Sequence, residues 1–100
     1  MTKFDMKFKA TKYIEEEIDC LDEFYFELES SVKSDSFISY NCYKSLVEDA
    51  YSRIIGALHI SRTLEIISLE EYNNYTKDAI SKYKKVVSCI LENSNKSLYL

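Results

Sequence analysis

The spacing of apolar side chains between residues 36 and 67 constrains the fold of this chain most strongly. These side chains recur at alternating steps of three and four residues, as they do along one face of an α-helix. The positions are Tyr40, Tyr43, Val47, Ala50, Ile54, Ala57, Ser61 and Leu64. A second row through Tyr51, Ile55 and Leu58 widens the face. Residues 36–67 are therefore predicted to form a long central helix that contacts neighbours on two sides, with Gly56 allowing a neighbouring backbone to come close.

The same spacing occurs in two further segments. One is predicted to be a helix over residues 12–32 with Thr11 as its N-cap, and its seam is Ile14, Ile18, Leu21, Tyr25, Leu28 and Val32. The other is predicted over residues 69–92, with a seam at Leu69, Tyr72, Thr76, Ala79, Tyr83, Val86 and Ile90. The sequence Ser68-Leu69-Glu70-Glu71 has the form of a capping box, which predicts a helix start there.

The two ends of the chain give weaker patterns. In the arm, residues 1–11, the apolar residues Phe4, Met6, Phe8 and Ala10 alternate with polar ones, as in an extended strand. Phe4 and Phe8 are also one helical turn apart, so the arm is predicted to be either extended or helical. Residues 93–100 are predicted to be a tail after the third helix. With one glycine and no proline, a sandwich or barrel is disfavoured, and the chain is predicted to be one all-α domain, a small three-helix bundle.

The cysteines and the termini indicate a cytoplasmic protein. Cys20, Cys42 and Cys89 include no Cys-x-x-Cys pair, so we expect small buried side chains in a reducing compartment. No apolar run suggests a signal peptide or a membrane span. Residues with AT-rich codons (Phe, Tyr, Met, Ile, Asn, Lys) greatly outnumber those with GC-rich codons (Gly, Ala, Arg, Pro), which indicates a low-GC bacterium, its phages or its plasmids.

The sequence offers no arrangement of residues typical of catalysis, so we expect a protein that is not an enzyme. All-α nucleotide pyrophosphatases need paired acids three residues apart on two helices. Glu16 and Asp19 have that spacing, but the adjacent pair Glu48 and Asp49 does not. His59 is the only histidine and falls on the polar side of its helix. We therefore predict no catalytic residue, no metal site and no cofactor.

Negative charge is concentrated in the first predicted helix. Between residues 13 and 32 there are eight acids and no base: Glu15, Glu16, Glu17, Asp19, Asp22, Glu23, Glu27 and Glu29. The simplest interpretation is a solvated outer face. The functional interpretation is an acidic surface that meets a basic protein. Phe24 and Phe26 favour the second, because they lie off the helix seam and at least one of them is expected to be exposed.

From these patterns we expect a small acidic protein that acts by protein–protein binding. The leading hypothesis is a phage or mobile-element antagonist of a host defence protein, such as an anti-CRISPR-like inhibitor, whose target is another protein and plausibly a basic, nucleic-acid-binding one. The predicted contact residues are Asp19, Asp22, Glu23, Phe26 and Glu27, with Phe4 and Phe8 as a second choice. The spacing of the helices also suits a homodimer.

Two alternatives stay open at this point. A bacteriocin immunity protein or an antitoxin would bind a protein in the same manner but protect its own cell. A small helix-turn-helix-like DNA-binding regulator belongs to a different class. Its basic patch would consist of Lys77, Lys82, Lys84 and Lys85. The net charge of −4 disfavours direct binding to nucleic acid.

Overall fold

The fold is a bundle of three α-helices. The computed structural model describes residues 2–33 and 40–98, and the side-chain surroundings of residues 2–30 and 43–92. Helix α1 spans Lys3–Lys33, α2 spans Tyr40–Thr63 and α3 spans Leu69–Leu98. The part of the chain described here contains no strand, so the predicted all-α bundle is confirmed. The bundle is elongated, with extents of 55 × 19 × 17 Å.

The direction of each helix follows from the polar contacts between helices. Lys7 near the start of α1 binds Glu71 near the start of α3, and Asp22 binds Lys82 further along both helices. These two helices are therefore parallel. Helix α2 runs the opposite way. Its residue Arg53 contacts Glu17 of α1, whereas Tyr43, earlier in α2, contacts Glu27, later in α1. The chain therefore goes up, down and up.

A single cluster of buried apolar side chains lies along the axis between the three helices. Its members are Ile14, Ile18, Leu21, Leu28, Val47, Ala50, Ile54, Leu58, Ile67, Ala79, Val86 and Ile90. Full burial of one of the larger side chains stabilises the folded state by roughly 1.5–3 kcal/mol. No buried side-chain nitrogen or oxygen among the described residues lacks a hydrogen-bond partner. The 3-4 spacing in the sequence therefore marked most of the core.

The arm is part of α1, so the extended alternative for residues 3–10 was wrong and the helical one holds. The helix begins nine residues before the predicted start because Thr2 and Asp5 form a capping box. The Thr2 hydroxyl oxygen accepts the Asp5 backbone N–H at 3.1 Å, and the Asp5 carboxylate accepts the Thr2 backbone N–H at 3.2 Å. The Thr2 hydroxyl also donates to the Asp5 carboxylate at 2.8 Å, and this bond, followed by the one from the Thr2 N–H, lowers the pKa of Asp5. Thr11, the predicted N-cap, is inside the helix and donates its hydroxyl to the Lys7 carbonyl at 2.9 Å.

The junction between α2 and α3 confirms the predicted capping box but moves the end of α2. Ser68 Oγ accepts the Glu71 backbone N–H at 3.1 Å, and the Glu71 carboxylate accepts the Ser68 N–H at 3.0 Å. Helix α2 ends at Thr63, four residues before the predicted end. Glu65 has a left-handed backbone (φ 56°), which lets the Ile66 N–H reach the Ser61 carbonyl at 2.8 Å. This is a Schellman ending with glutamate in the place that glycine usually takes.

Several boundaries and faces also differ from the expectation. Helix α3 continues to Leu98, so most of the predicted tail is helical. Residues 34–39, which include the predicted start of the central helix, lie outside the described residues. Leu64 and Leu69 are 62% and 57% exposed, so these two predicted seam positions do not belong to the core. A Cβ built on Gly56 would meet no atom within 4 Å, so no backbone comes close to it. The seam residues Val32 and Tyr40 lie beyond the described side chains.

Candidate protein-binding surface

Two acids of α1 lie on the side that faces α3 and bind groups of that helix. The Lys82 ammonium lies 2.9 Å from the Asp22 carboxylate and 3.7 Å from Asp78, so it bridges the two helices. The Tyr75 hydroxyl donates to the Glu15 carboxylate at 2.7 Å. These two carboxylates therefore hold α3 against α1 and are not available in full to another protein.

Two other acids lie on the opposite side of α1, toward α2. The Arg53 guanidinium contacts the Glu17 carboxylate at 3.1 Å, and the Tyr43 hydroxyl donates to Glu27 at 3.1 Å. The ring of Phe24 meets that of Tyr43 edge-on, with centroids 6.2 Å apart. Phe24, which the sequence left as a candidate for exposure, thus packs against the bundle.

The remaining part of α1 is turned away from both neighbours, and we call it the outer face. It is formed by Phe8, Lys12, Glu16, Asp19, Glu23 and Phe26. Phe8 is 60% exposed and Phe26 63%. No ion pair or hydrogen bond joins Glu16, Asp19 or Glu23 to another described residue. The outer face therefore combines exposed aromatic rings with charges that the described fold does not use.

The structure separates the predicted contact residues into three groups. Asp19, Glu23 and Phe26 lie together on the outer face, and Phe8 lies on the same face about five turns earlier in the helix. Asp22 and Glu27 lie on the two flanks, where each binds a neighbouring helix. Phe4, which is 76% exposed, lies apart from the others at the end of the bundle beside the α2–α3 junction. Sequence spacing alone did not distinguish these positions.

The pKa values of the flank groups follow from these contacts. Burial, and then the hydrogen bond to Glu15, raise the pKa of Tyr75 to about 12. The hydrogen bond to Asp22 is the main cause that raises the pKa of Lys82, and the one to Glu17 raises that of Arg53. Tyr75 therefore keeps its proton, and the two cations keep their charge, throughout the neutral pH range.

A groove of about 540 Å³ at the end of the bundle was not anticipated from the sequence. Its lining is Lys3, Phe4, Lys7, Arg62, Glu65, Ile66, Ile67, Ser68 and Glu71. Two of its three cations are already engaged, since Lys7 binds Glu71 at 2.9 Å and the Arg62 guanidinium donates to the Ile67 carbonyl at 3.2 Å. The hydrogen bond from the Ser68 amide, and then the one from Lys7, lower the pKa of Glu71. The contacts that line the groove therefore connect the start of α1 to the α2–α3 junction.

The described residues contain no arrangement that suggests metal or thiol chemistry. No group of three or more His, Cys, Asp or Glu side chains among them could hold a metal ion. Burial and the nearby Glu17 and Glu23 raise the pKa of the Cys20 thiol, which keeps it in the unreactive protonated form. His59 is exposed.

Of the four α3 lysines predicted for a basic patch, Lys77, Lys84 and Lys85 are exposed, and Lys82 is bound by acids. Lys82 is held by Asp22 and Asp78, and the Lys85 ammonium lies 4.2 Å from the centre of the Tyr25 ring. Helices α2 and α3 are still in contact many residues away from their junction. The rings of Tyr51 and Tyr83 stack there with centroids 4.1 Å apart. A helix-turn-helix unit would instead cross at roughly 90–120°.

Comparisons of the chain with models of protein families, with curated proteins and with solved structures gave no match. Any functional proposal therefore depends on the geometry of the described residues. Within the described residues, no helix has an apolar stretch of the length and composition needed to cross a bilayer.

Proposed function

We propose that this chain acts by binding another protein through the outer face of α1, without chemistry of its own. The observation that carries the proposal is Phe26, which is 63% exposed beside Asp19 and Glu23. The fold uses the flank acids of the same helix for internal contacts, whereas no ion pair or hydrogen bond joins these two acids to another described residue. The Phe26 ring touches the Tyr25 ring edge-on, with centroids 5.8 Å apart, and most of its surface stays exposed. An exposed aromatic ring among charges is typical of the centre of a protein-binding surface.

The chemistry of this surface defines the partner it fits. A matching surface would carry lysine or arginine side chains around an apolar pocket for the Phe26 ring. Opposite charges accelerate association and fix the orientation of the two proteins, while burial of the aromatic ring supplies much of the affinity. Proteins that bind nucleic acid carry such basic surfaces. We therefore propose an antagonist of a host nucleic-acid-binding defence protein, encoded by a phage or another mobile element.

An immunity protein or antitoxin would use the same surface in the same manner, so it remains the alternative within this class. The two differ in the partner, which would be a host protein in the first case and a toxin from the same locus in the second. Survival of cells that co-express the toxin of a neighbouring gene would identify the alternative. A DNA-binding regulator is the weaker proposal, because Lys82 is bound by Asp22 and Asp78 and the net charge of the chain is −4.

The experiment that tests the proposal is affinity capture with matched variants. Wild-type protein is immobilised and exposed to lysates of low-GC bacteria, and bound proteins are quantified by mass spectrometry. The outer-face variant carries Asp19→Lys, Glu23→Lys and Phe26→Ala. A control carries Glu48→Lys and Asp49→Lys, which reverse two exposed acids of α2. Circular dichroism verifies that each variant retains its helices.

We expect one protein to bind wild type and control in equal molar amount and to be lost from the outer-face variant. The retained protein should be basic, and raising the salt concentration should release it. If the same proteins bind to all three baits, the outer face is not the binding surface. If salt has no effect on capture, the electrostatic part of the proposal is wrong.

A further inference from the structure

The outer face of α1 carries charges of both signs, which follow one another along the helix. Lys12 comes first, and the acids Glu16, Asp19 and Glu23 follow it. An exposed phenylalanine lies near each end, because Phe8 and Phe26 are separated by 18 positions in the sequence. At 3.6 residues per turn this is five turns, so both rings point the same way, about 27 Å apart along the axis. The surface therefore has Phe8 and a base toward one end, and Phe26 with acids toward the other.

A surface of this kind is complementary to itself when it is turned around. If a second α1 lies antiparallel across the first, with the two-fold axis near residue 17, Phe8 of one copy faces Phe26 of the other. In the same alignment Lys12 lies opposite Glu23. Because the axis is two-fold, each of these pairs occurs twice. Cross-helix pairs of aromatic rings and opposite charges are the contacts that hold antiparallel helices together.

We propose that a second copy of this chain occupies the outer face, with α1 against α1 in an antiparallel arrangement. Phe8 of each copy packs on Phe26 of the other, and Lys12 pairs with Glu23. At the two-fold axis Glu16 of each copy faces Asp19 of the other, and these like charges weaken the association. The dimer is therefore reversible and covers the face only in part of the population.

The consequence for function rests on the proposed function. The dimer buries Phe26 and Glu23, which are the groups offered to the partner protein. The partner and the second copy therefore compete for one surface, and a basic partner displaces the second copy. Dilution of the protein then favours the active monomer. This is a form of self-inhibition that depends on concentration.

The test is a charge swap measured by sedimentation equilibrium over a range of concentrations. The variants are Lys12→Glu, Glu23→Lys, and the two combined. Each single change places like charges opposite each other at two sites, so we expect the dimer dissociation constant to rise at least about tenfold, which corresponds to 1.4 kcal/mol. The combined variant restores opposite charges and should restore dimerisation. Lys84→Glu on the exposed side of α3 is the control for net charge and should leave the dissociation constant unchanged.

A further variant examines the centre of the interface. Glu16→Gln combined with Asp19→Asn removes the like charges near the two-fold axis, so it should tighten the dimer several-fold. A wild type that is monomeric at all concentrations overturns the proposal, and so does a combined variant that dimerises no better than the single ones. Weaker association of the Glu16→Gln, Asp19→Asn variant overturns the antiparallel alignment.

Failure of the dimer and failure of the proposed function give different results. A monomeric wild type that still captures one protein through Asp19, Glu23 and Phe26 rules out the second copy and leaves the proposed function intact. A wild type that dimerises as expected, but whose outer-face variant captures the same proteins, retains the dimer and rules out the partner surface.

Discussion

The flanks of α1 and its outer face contain the same residue types but use them differently. On the flanks, Asp22 and Glu17 bind cations of the neighbouring helices. Glu15 and Glu27 accept hydrogen bonds from tyrosine hydroxyls. On the outer face, Asp19 and Glu23 make no such contact with the described residues. The acids of α1 therefore fall into two groups, one engaged by the other helices and one exposed.

The flank contacts contribute to specificity more than to stability. An ion pair at the surface is worth about 0–1 kcal/mol, far less than the burial of one large apolar side chain. Asp22–Lys82 and Glu17–Arg53 nevertheless fix how far α3 and α2 are shifted along α1. A shift by one helical turn would separate both pairs.

The largest difference in stability is expected between a substitution in the core and one on the outer face. Leu21 is fully buried and Phe26 is 63% exposed on the same helix. Leu21→Ala leaves a cavity and should lower the free energy of unfolding by about 2–5 kcal/mol. Phe26→Ala should lower it by no more than about 1 kcal/mol, although it removes a larger side chain, because the ring loses only its edge-on contact with Tyr25. Urea unfolding followed by circular dichroism measures both. A large loss from Phe26→Ala would show that this ring has a structural role.

A smaller effect should distinguish a flank acid from an outer one. Asp22→Lys removes the contact with Lys82 and places two cations together, so we expect a loss of about 1 kcal/mol. Asp19→Lys causes the same change in net charge on the outer face and should alter stability by less than about 0.5 kcal/mol. Thermal melts at low and high salt provide the measurement. The difference between the variants should shrink in high salt, and equal losses would contradict the division of α1 into two surfaces.

The hydrogen bond from Tyr75 to Glu15 gives the flank a dependence on alkaline pH. The pKa of Tyr75 is raised from 10.0 to about 12 in the folded protein, so folding favours the protonated phenol. This contribution to stability is complete below about pH 10 and is lost as the pH rises from 10 to 12. Tyr75→Phe should lower stability at neutral pH by about 1 kcal/mol and reduce the loss between pH 10 and 12.

Unfolding measured at several alkaline pH values tests this prediction. Tyr13→Phe is the matched control, because Tyr13 is 41% exposed and no hydrogen bond joins its hydroxyl to another described residue. It should leave the stability at neutral pH unchanged, because no hydrogen bond is lost. The prediction fails if the two variants respond to alkali in the same way.

The fold was largely predictable because the core follows simple geometry. The 3-4 spacing in each helix identified Ile14, Ile18, Leu21 and Leu28 as core residues, and all four are buried. The start of α3 was predictable because a capping box needs only side chains close in sequence. The start of α1 was missed although Thr2 and Asp5 form the same motif. The alternation of apolar residues after it suggested a strand, and the capping residues lie almost at the chain start.

The sequence could not predict which acids of α1 bind other helices and which stay exposed. This depends on the rotation of α1 about its own axis and on its register against α2 and α3. Sequence spacing placed Asp22 and Asp19 in one acidic stretch, and only the position of Lys82 separates them. The binding role of Asp19, Glu23 and Phe26 stays a prediction. Their exposure follows from the packing of α1, whereas the partner would be determined by a surface that this chain does not contain.

The smallest expected change in stability concerns the exposed side of α2. If that side has no tertiary role, changes there should follow helix propensity alone. Gly56 is exposed, and an added Cβ would meet no atom within 4 Å. Gly56→Ala should therefore stabilise the protein by roughly 0.5–1 kcal/mol, because alanine has less backbone freedom to lose on folding. The reverse change at the next position, Ala57→Gly, should cost more than this, since Ala57 also packs against the core. The melting temperatures of the two variants, measured at equal protein concentration, test this prediction. A destabilising Gly56→Ala would show that something covers this side of α2 in solution, and the outer face of α1 would then no longer be the sole candidate surface.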